Sequence, residues 1–145
     1  MNISTIRKTI GVILCIEAAF MLPPFALAVA DGSEAAMRGF ASGIAAVLIV
    51  GLPCGIIRSK DRPLGARDGF VTVALAWIII SLFGAVPFYA SGVIPSISAA
   101  VFETVSGFTT TGATIIDDVE AAPRAILLWR SFTHWIGGMG VLVFL

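Results

Sequence analysis

The chain alternates between long apolar runs and short polar connections, and one stretch breaks that pattern. Apolar residues dominate 9–30, 39–57, 69–90 and 123–145. A helix of about 20 predominantly apolar residues is long enough to cross a hydrocarbon core, so each run predicts a transmembrane helix. Between the third and fourth runs lies a shorter segment, 96–107, introduced by Gly92 and Pro95. Pro95 and Ser96 suit a helix start. At a rise of 1.5 Å per residue this segment makes a helix of about 18 Å, too short for a core of about 30 Å. The pattern predicts a re-entrant helix that enters the membrane and turns back.

The exceptional stretch, 101–114, completes that short helix and continues beyond it. It holds Thr109, Thr110, Thr111 and Thr114 within six residues, Gly107 and Gly112 around the first three, and one carboxylate, Glu103. Thr is a modest helix former and Gly a poor one. Within hydrocarbon, non-helical backbone is tolerated only where protein buries it or a watery cavity runs past it. The expected structure is a loop, 108–114, that presents backbone carbonyls to an ion.

Charge sets the orientation. Arg58, Lys60, Arg62 and Arg67 stand against Asp61 and Asp68 in the connection after the second run, and Arg7 and Lys8 precede the first. The connections on the other side, 31–38 and 117–124, carry one basic residue each, Arg38 and Arg124. The positive-inside rule puts the N-terminus and the 59–68 loop in the cytoplasm. A basic start, an apolar run and Ala28-Val29-Ala30 also resemble a cleaved signal peptide. The length of the run, Glu17 near its middle and Pro23-Pro24 weigh against that reading. Glu17 should face other helices and find a structural hydrogen bond, and Pro23-Pro24 should kink or end the helix locally. Gly39, Gly43, Gly51 and Gly55 form the small-xxx-small spacing of close helix packing.

Composition agrees. Hydrophobic residues make up 58% and charged residues 12%, against about 25% charged in soluble domains. The formal net charge is zero, and nothing points to nucleic acid. Cys15 and Cys54 lie in apolar runs without metal-ligand spacing and read as inert thiols. No Gly-x-Ser-x-Gly element occurs, so an enzyme is not expected. The apolar end at 141–145 suggests that the native protein continues, and that this is an N-terminal fragment.

A cation entering a bilayer must exchange water for other oxygens. Rings of backbone carbonyls supply them in potassium channels, whose loops carry Thr-Val-Gly-Tyr-Gly. Thr110, Thr111 and Gly112 can be laid on the first three positions, with Gly112 free to adopt the backbone conformations that other residues avoid. Thr114 stands where the second Gly would be, which implies a looser arrangement of sites. The C-terminal end of the short helix, at Ser106-Gly107, carries about half a negative charge and favours a cation. Glu103 reads as an anchor that accepts hydrogen bonds from loop backbone or pairs with a nearby cation. Arg130, inside the last run, needs a partner, either Glu103 or the acidic 117–120 loop. That loop reads as an ordinary solvated turn. His134 lies one turn beyond Arg130 and reads as a packing residue. For Gly137-Gly138-Met139-Gly140, close packing and a hinge are both open.

Residues 102–113 resemble the first pore loop of the bacterial Trk-type potassium uptake proteins, the TrkH/TrkG branch of the Trk/Ktr/HKT superfamily, and 128–140 resemble the helix that follows it. The resemblance implies an all-α membrane protein: two leading transmembrane helices (1–58), the cytoplasmic basic loop (59–68), and the first of four span–loop–span repeats (69–145). That repeat would comprise a span at 69–90, a pore helix at 96–107, a filter loop at 108–114 and a span at 123–145. It implies potassium uptake through a selectivity filter to which this chain gives Thr109, Thr110, Thr111, Gly112 and Ala113. K+ would be met by the carbonyls of Thr110, Thr111 and Gly112, with Glu103, Ser106, Gly107 and Arg130 in support. It further implies a multi-pass protein of the bacterial inner membrane surrounded by lipid, a homodimer at full length, a cytosolic nucleotide-binding regulatory subunit, and no covalent cofactor. The alternative is a non-transporting membrane subunit or scaffold whose Thr/Gly loop only packs.

Overall fold

The structure, a computed structural model, describes residues 3–56, 65–116 and 118–144. Those residues form six helices: α1 (Ile3–Ala30), α2 (Glu34–Ile56), α3 (Ala66–Gly84), α4 (Val86–Ala90), α5 (Ile97–Phe108) and α6 (Arg124–Phe144). The protein is an all-α membrane protein. Three stretches among the described residues are long and apolar enough to cross a bilayer: Ile3–Ala30, Glu34–Ile56 and Arg67–Ala90. Helix α6, at 21 residues, is of spanning length but is not one of these three. Arg130, Ser131, Thr133 and His134 make its middle polar.

Two local structures differ from expectation. The polar connection 31–38 shrinks to Asp31–Ser33, because Ser33 starts α2: its carbonyl accepts the Met37 N–H at 2.9 Å, and its Oγ lies 3.4 Å from the Ala36 nitrogen. Glu34 sits in the first turn of α2, where the helix dipole favours an anion. Hydropathy marks the membrane-crossing part of a helix and not its ends. Likewise Pro23 and Pro24 lie inside α1 without ending it. Most of the 59–68 loop lies outside the described residues.

Near Pro87 the third span does break, into α3 and α4. Proline has no N–H to give the preceding turn, and the Phe83 carbonyl accepts the Ala85 N–H instead. The neighbouring Gly84 carbonyl accepts the Trp129 indole N–H from α6 at 3.0 Å. A break that would leave backbone unsatisfied in an apolar setting is thereby closed by a neighbouring helix.

Helices α1 and α2 form a tight hairpin. A Cβ on Gly51 would come 3.0 Å from Leu14 Cβ, and one on Gly39 would come 2.7 Å from the Pro87 carbonyl oxygen. The small-residue spacing on α2 therefore seats α1 at one end and α4 at the other. Leu14, Met21, Phe40, Val47, Phe88 and Trp129 are fully buried between these helices. Phe40 and Trp129 meet edge to face at 6.4 Å. Helix α5 packs between α3 and α6, so the two elements flanking the short helix in sequence also flank it in space.

Candidate functional site

Helix α5 has twelve residues, one residue later than expected at each end. Its last turn places Ser106, Gly107 and Phe108 in the interior, while the loop that follows is exposed from Thr109 to Ile115. The chain reverses at once. Thr110 N–H donates to the Gly107 carbonyl at 2.9 Å, and the Thr111 and Gly112 N–H groups converge on the Ser106 carbonyl at 3.0 and 3.4 Å. Two residues take left-handed backbone conformations, Thr110 at φ 58° and Gly112 at φ 79°. Glycine occupies that region freely. A β-branched residue does so rarely, and Thr110 is held there by the hydrogen bonds on either side.

The loop is tied to α5 by side chains as well. Ser106 Oγ donates to the Ala113 carbonyl at 2.6 Å, Thr109 Oγ1 donates to the Val105 carbonyl at 2.7 Å, and the Thr109 and Thr111 hydroxyls are 2.8 Å apart. Among the described residues, no hydrogen bond reaches the carbonyl oxygens of Thr110, Thr111 or Gly112. The Ala113 carbonyl differs from these three, since Ser106 engages it. The arrangement therefore leaves the carbonyls from Phe108 to Gly112 unengaged among the described residues, those of Thr110, Thr111 and Gly112 on the exposed turn, while the carbonyls of Ser106, Gly107 and Ala113 accept hydrogen bonds.

Behind the loop lies the one carboxylate of this region. Glu103 is 1% exposed. Its Oε1 accepts from Arg130 Nε at 2.6 Å, its Oε2 accepts from the Ile115 N–H at 2.9 Å, and the Thr114 hydroxyl lies 3.0 and 3.1 Å from the two oxygens. Of the two partners open to Arg130 from the sequence, the structure brings it to Glu103. Asp118 on the outer connection accepts the N–H groups of Glu120 and Ala121 at 3.0 and 3.1 Å, the geometry of a local turn. Asp117 lies outside the described residues.

The structure puts Glu103, Ser106 and Gly107 on the short helix, Thr109 to Ala113 in the loop and Arg130 on the last helix. Phe108, expected in the loop, ends α5. His134 and Gly137 have the packing environment read for them, and Thr133 is the residue that sequence reasoning missed. Thr133 packs over Gly107, where a Cβ would run into its Oγ1. His134 Nδ1 lies 2.8 Å from the Arg130 carbonyl oxygen. Gly137 lies against the last residue of α5. The spacing of positions 130, 133, 134 and 137 on one helix was the available signal, since i, i+3 and i+4 positions share a face. Glu17 departs from its expected hydrogen bond: both carboxylate oxygens are buried and have no partner among the described residues.

Comparison with known proteins finds the chain similar to cation transport proteins. A family model described as TrkH, cation transport protein, matches residues 35–145. The chain is 37% identical over 149 aligned residues to the Trk system potassium uptake protein TrkH of Halomonas elongata, covering 99% of this chain and 30% of that one. It is 48% identical over 85 residues to an uncharacterized cation transporter of Methanocaldococcus jannaschii, covering 59% of this chain and 18% of that one. The crystal structure of the potassium transporter TrkH from Vibrio parahaemolyticus superposes with a TM-score of 0.90 at 35% identity, covering 99% of this chain and 31% of that one. The chain thus spans about 30% of the length of the full-length Trk relatives it matches.

Proposed function

The chain belongs to the TrkH family of cation transport proteins, and from that premise we propose that it is the N-terminal part of a potassium uptake protein and gives one of four loops to a carbonyl-lined filter. This family transports ions and is not a family of enzymes. The observation that carries the reading is the set of free carbonyls at Thr110, Thr111 and Gly112. They follow directly on the C-terminal end of α5, whose partial negative charge favours a cation. Carbonyl dipoles stand in for the hydration shell that K+ sheds. Thr109 and Ala113 frame the three carbonyls. Ser106 and Gly107 hold the turn, and Glu103 with Arg130 fixes the strand that leaves it.

In this reading α5 is a re-entrant pore helix, and α6 crosses the membrane with its polar middle turned toward α5. The N-terminus is cytoplasmic, as the basic residues at 7–8 and 58–67 direct. The full-length protein lies in the bacterial inner membrane, works as a homodimer, and answers to a cytosolic nucleotide-binding subunit. K+ is cargo, and no covalent cofactor takes part.

The test uses the full-length protein in cells that lack other potassium uptake. A Cβ on Gly112 meets nothing within 4 Å on this chain, but the backbone there stands at φ +79°. Gly112→Ser therefore acts through backbone strain of about 1–2 kcal/mol and through the carbonyl it misdirects. Expected is a large loss of K+ uptake, or entry of Na+, at unchanged membrane abundance. Wild-type uptake and selectivity in Gly112→Ser would leave a packing scaffold as the better account.

A further inference from the structure

The glycines after His134 have no role in the reading above, and the structure separates them. Helix α6 is continuous through them, from Arg124 to Phe144, which favours packing over a hinge. Their surroundings differ sharply. A Cβ on Gly137 would run into the Phe108 carbonyl oxygen and lie 2.7 Å from its carbonyl carbon and 2.9 Å from its Cα. These are backbone atoms, so no side-chain rotation relieves the clash. A Cβ on Gly138 would lie 3.8 Å from Thr110 Cγ2, and one on Gly140 would lie 3.4 Å from the Trp77 ring. Both are ordinary contacts.

Phe108 is the last residue of α5 and is 1% exposed. Its ring stands edge to face against Trp77 at 6.3 Å. Its carbonyl accepts no hydrogen bond among the described residues and lies directly against the α6 backbone at Gly137. One turn earlier on the same face, Thr133 packs over Gly107 and donates its hydroxyl to the Arg130 carbonyl at 2.7 Å. One turn before that, Arg130 holds Glu103. Three successive contacts of α6 thus run down α5 to the point where the loop begins.

We infer that Gly137 is a positioning residue for ion selectivity: the bare backbone of α6 at this point sets how deep α5 ends, and so where the carbonyls of Thr110, Thr111 and Gly112 stand. The inference rests on the filter reading above. The loop hangs from α5 through Ser106 and Glu103, so a shift of the end of α5 carries all three carbonyls with it. Cation selectivity depends on the size of the carbonyl ring and on the number and field strength of its dipoles. Moving one loop of a ring alters each of these.

The experiment measures K+ and Na+ uptake per molecule of full-length protein in the membrane, for Gly137→Ala, Gly138→Ala, Gly11→Ala and Gly112→Ser. Gly11 is the steric control. A Cβ there would run into the Gly55 nitrogen and lie 2.7 Å from the Cys54 carbonyl carbon, an equally severe clash located between α1 and α2. Expected is a fall of about tenfold in the K+/Na+ uptake ratio for Gly137→Ala, with Gly138→Ala and Gly11→Ala within about twofold of wild type. A wild-type ratio in Gly137→Ala overturns the inference. An equal fall in Gly11→Ala also overturns it, because the effect would then be a general loss of packing. If Gly137→Ala does not reach the membrane, Thr133→Val decides. It keeps the side-chain shape and removes only the hydroxyl packed over Gly107, and should lower the ratio by about threefold. An unchanged ratio there overturns the inference. A shift in Gly112→Ser without one in Gly137→Ala removes the positioning role alone, while no shift in either removes the filter reading itself.

Discussion

Two carboxylates sit inside the same apolar body in opposite circumstances. Glu103 is met by a guanidinium, a hydroxyl and a backbone N–H. Glu17 is 4% exposed and has no hydrogen-bond partner among the described residues. It borders a void of about 60 Å³ shared with Ile13, Phe20, Ile80, Phe108 and Ile136. Leaving a buried polar group unpaired costs about 1–3 kcal/mol. Glu17→Met removes that group and keeps a flexible side chain of similar length. The full-length purified protein should therefore unfold at a higher temperature with this substitution, as a thermal melt in detergent would show; a lower melting temperature would mean that the carboxylate holds something in place. From the sequence, a hydrogen-bonding partner is expected for both residues. What separates them is whether another helix brings a donor, and residue type says nothing about that.

At the scale of elements, the central device is the pairing of α5 with α6. Glu103 on α5 takes Arg130 from α6 and the strand after the loop at the same time, so a single side chain joins three segments. Removing one member of a buried ion pair costs about 3–5 kcal/mol because the other charge is stranded. The Arg130 side chain keeps 23% exposure, which places this pair at the low end of that range. Glu103→Gln should lower both thermal stability and K+ uptake in the full-length protein, and Arg130→Met should lower uptake likewise. Uptake at wild-type level in Glu103→Gln would show that the strand holds itself. The contrast is the Arg124–Asp31 pair at 3.4 Å, with the Arg124 side chain 75% exposed. Solvent-exposed pairs contribute about 0–1 kcal/mol, so that contact joins α6 to the α1–α2 turn without anchoring it.

At the scale of the whole molecule, the leading hairpin acts as a brace. Helix α2 seats α4 through Gly39, and α1 reaches α3 and α6, so the helices on both sides of α5 are supported by the hairpin. The chain spans about 30% of its full-length Trk relatives, and on the proposed reading it holds one loop of four. The 145 residues alone, reconstituted in liposomes, should therefore carry no K+ flux above empty vesicles. Selective flux from the chain alone would point to its self-assembly around a pore and would replace the single-chain four-loop account.

Much of this was legible in the sequence. Runs of apolar residues, a segment of half the spanning length, and a Thr/Gly stretch at its end are one-dimensional features, and membrane thickness and helix rise convert them directly into elements. The order of elements followed from that arithmetic, although the third span is divided into α3 and α4 and the short helix runs one residue further than expected. Tertiary structure alone decided the rest. It chose Glu103 for Arg130, left Glu17 without a donor, gave the Trp129 indole to the Gly84 carbonyl, and distinguished Gly137 from Gly138. Each of these depends on which atom of a second helix lies within a few ångströms, and the spacing of residues along one helix does not determine the rotation and depth at which two helices meet.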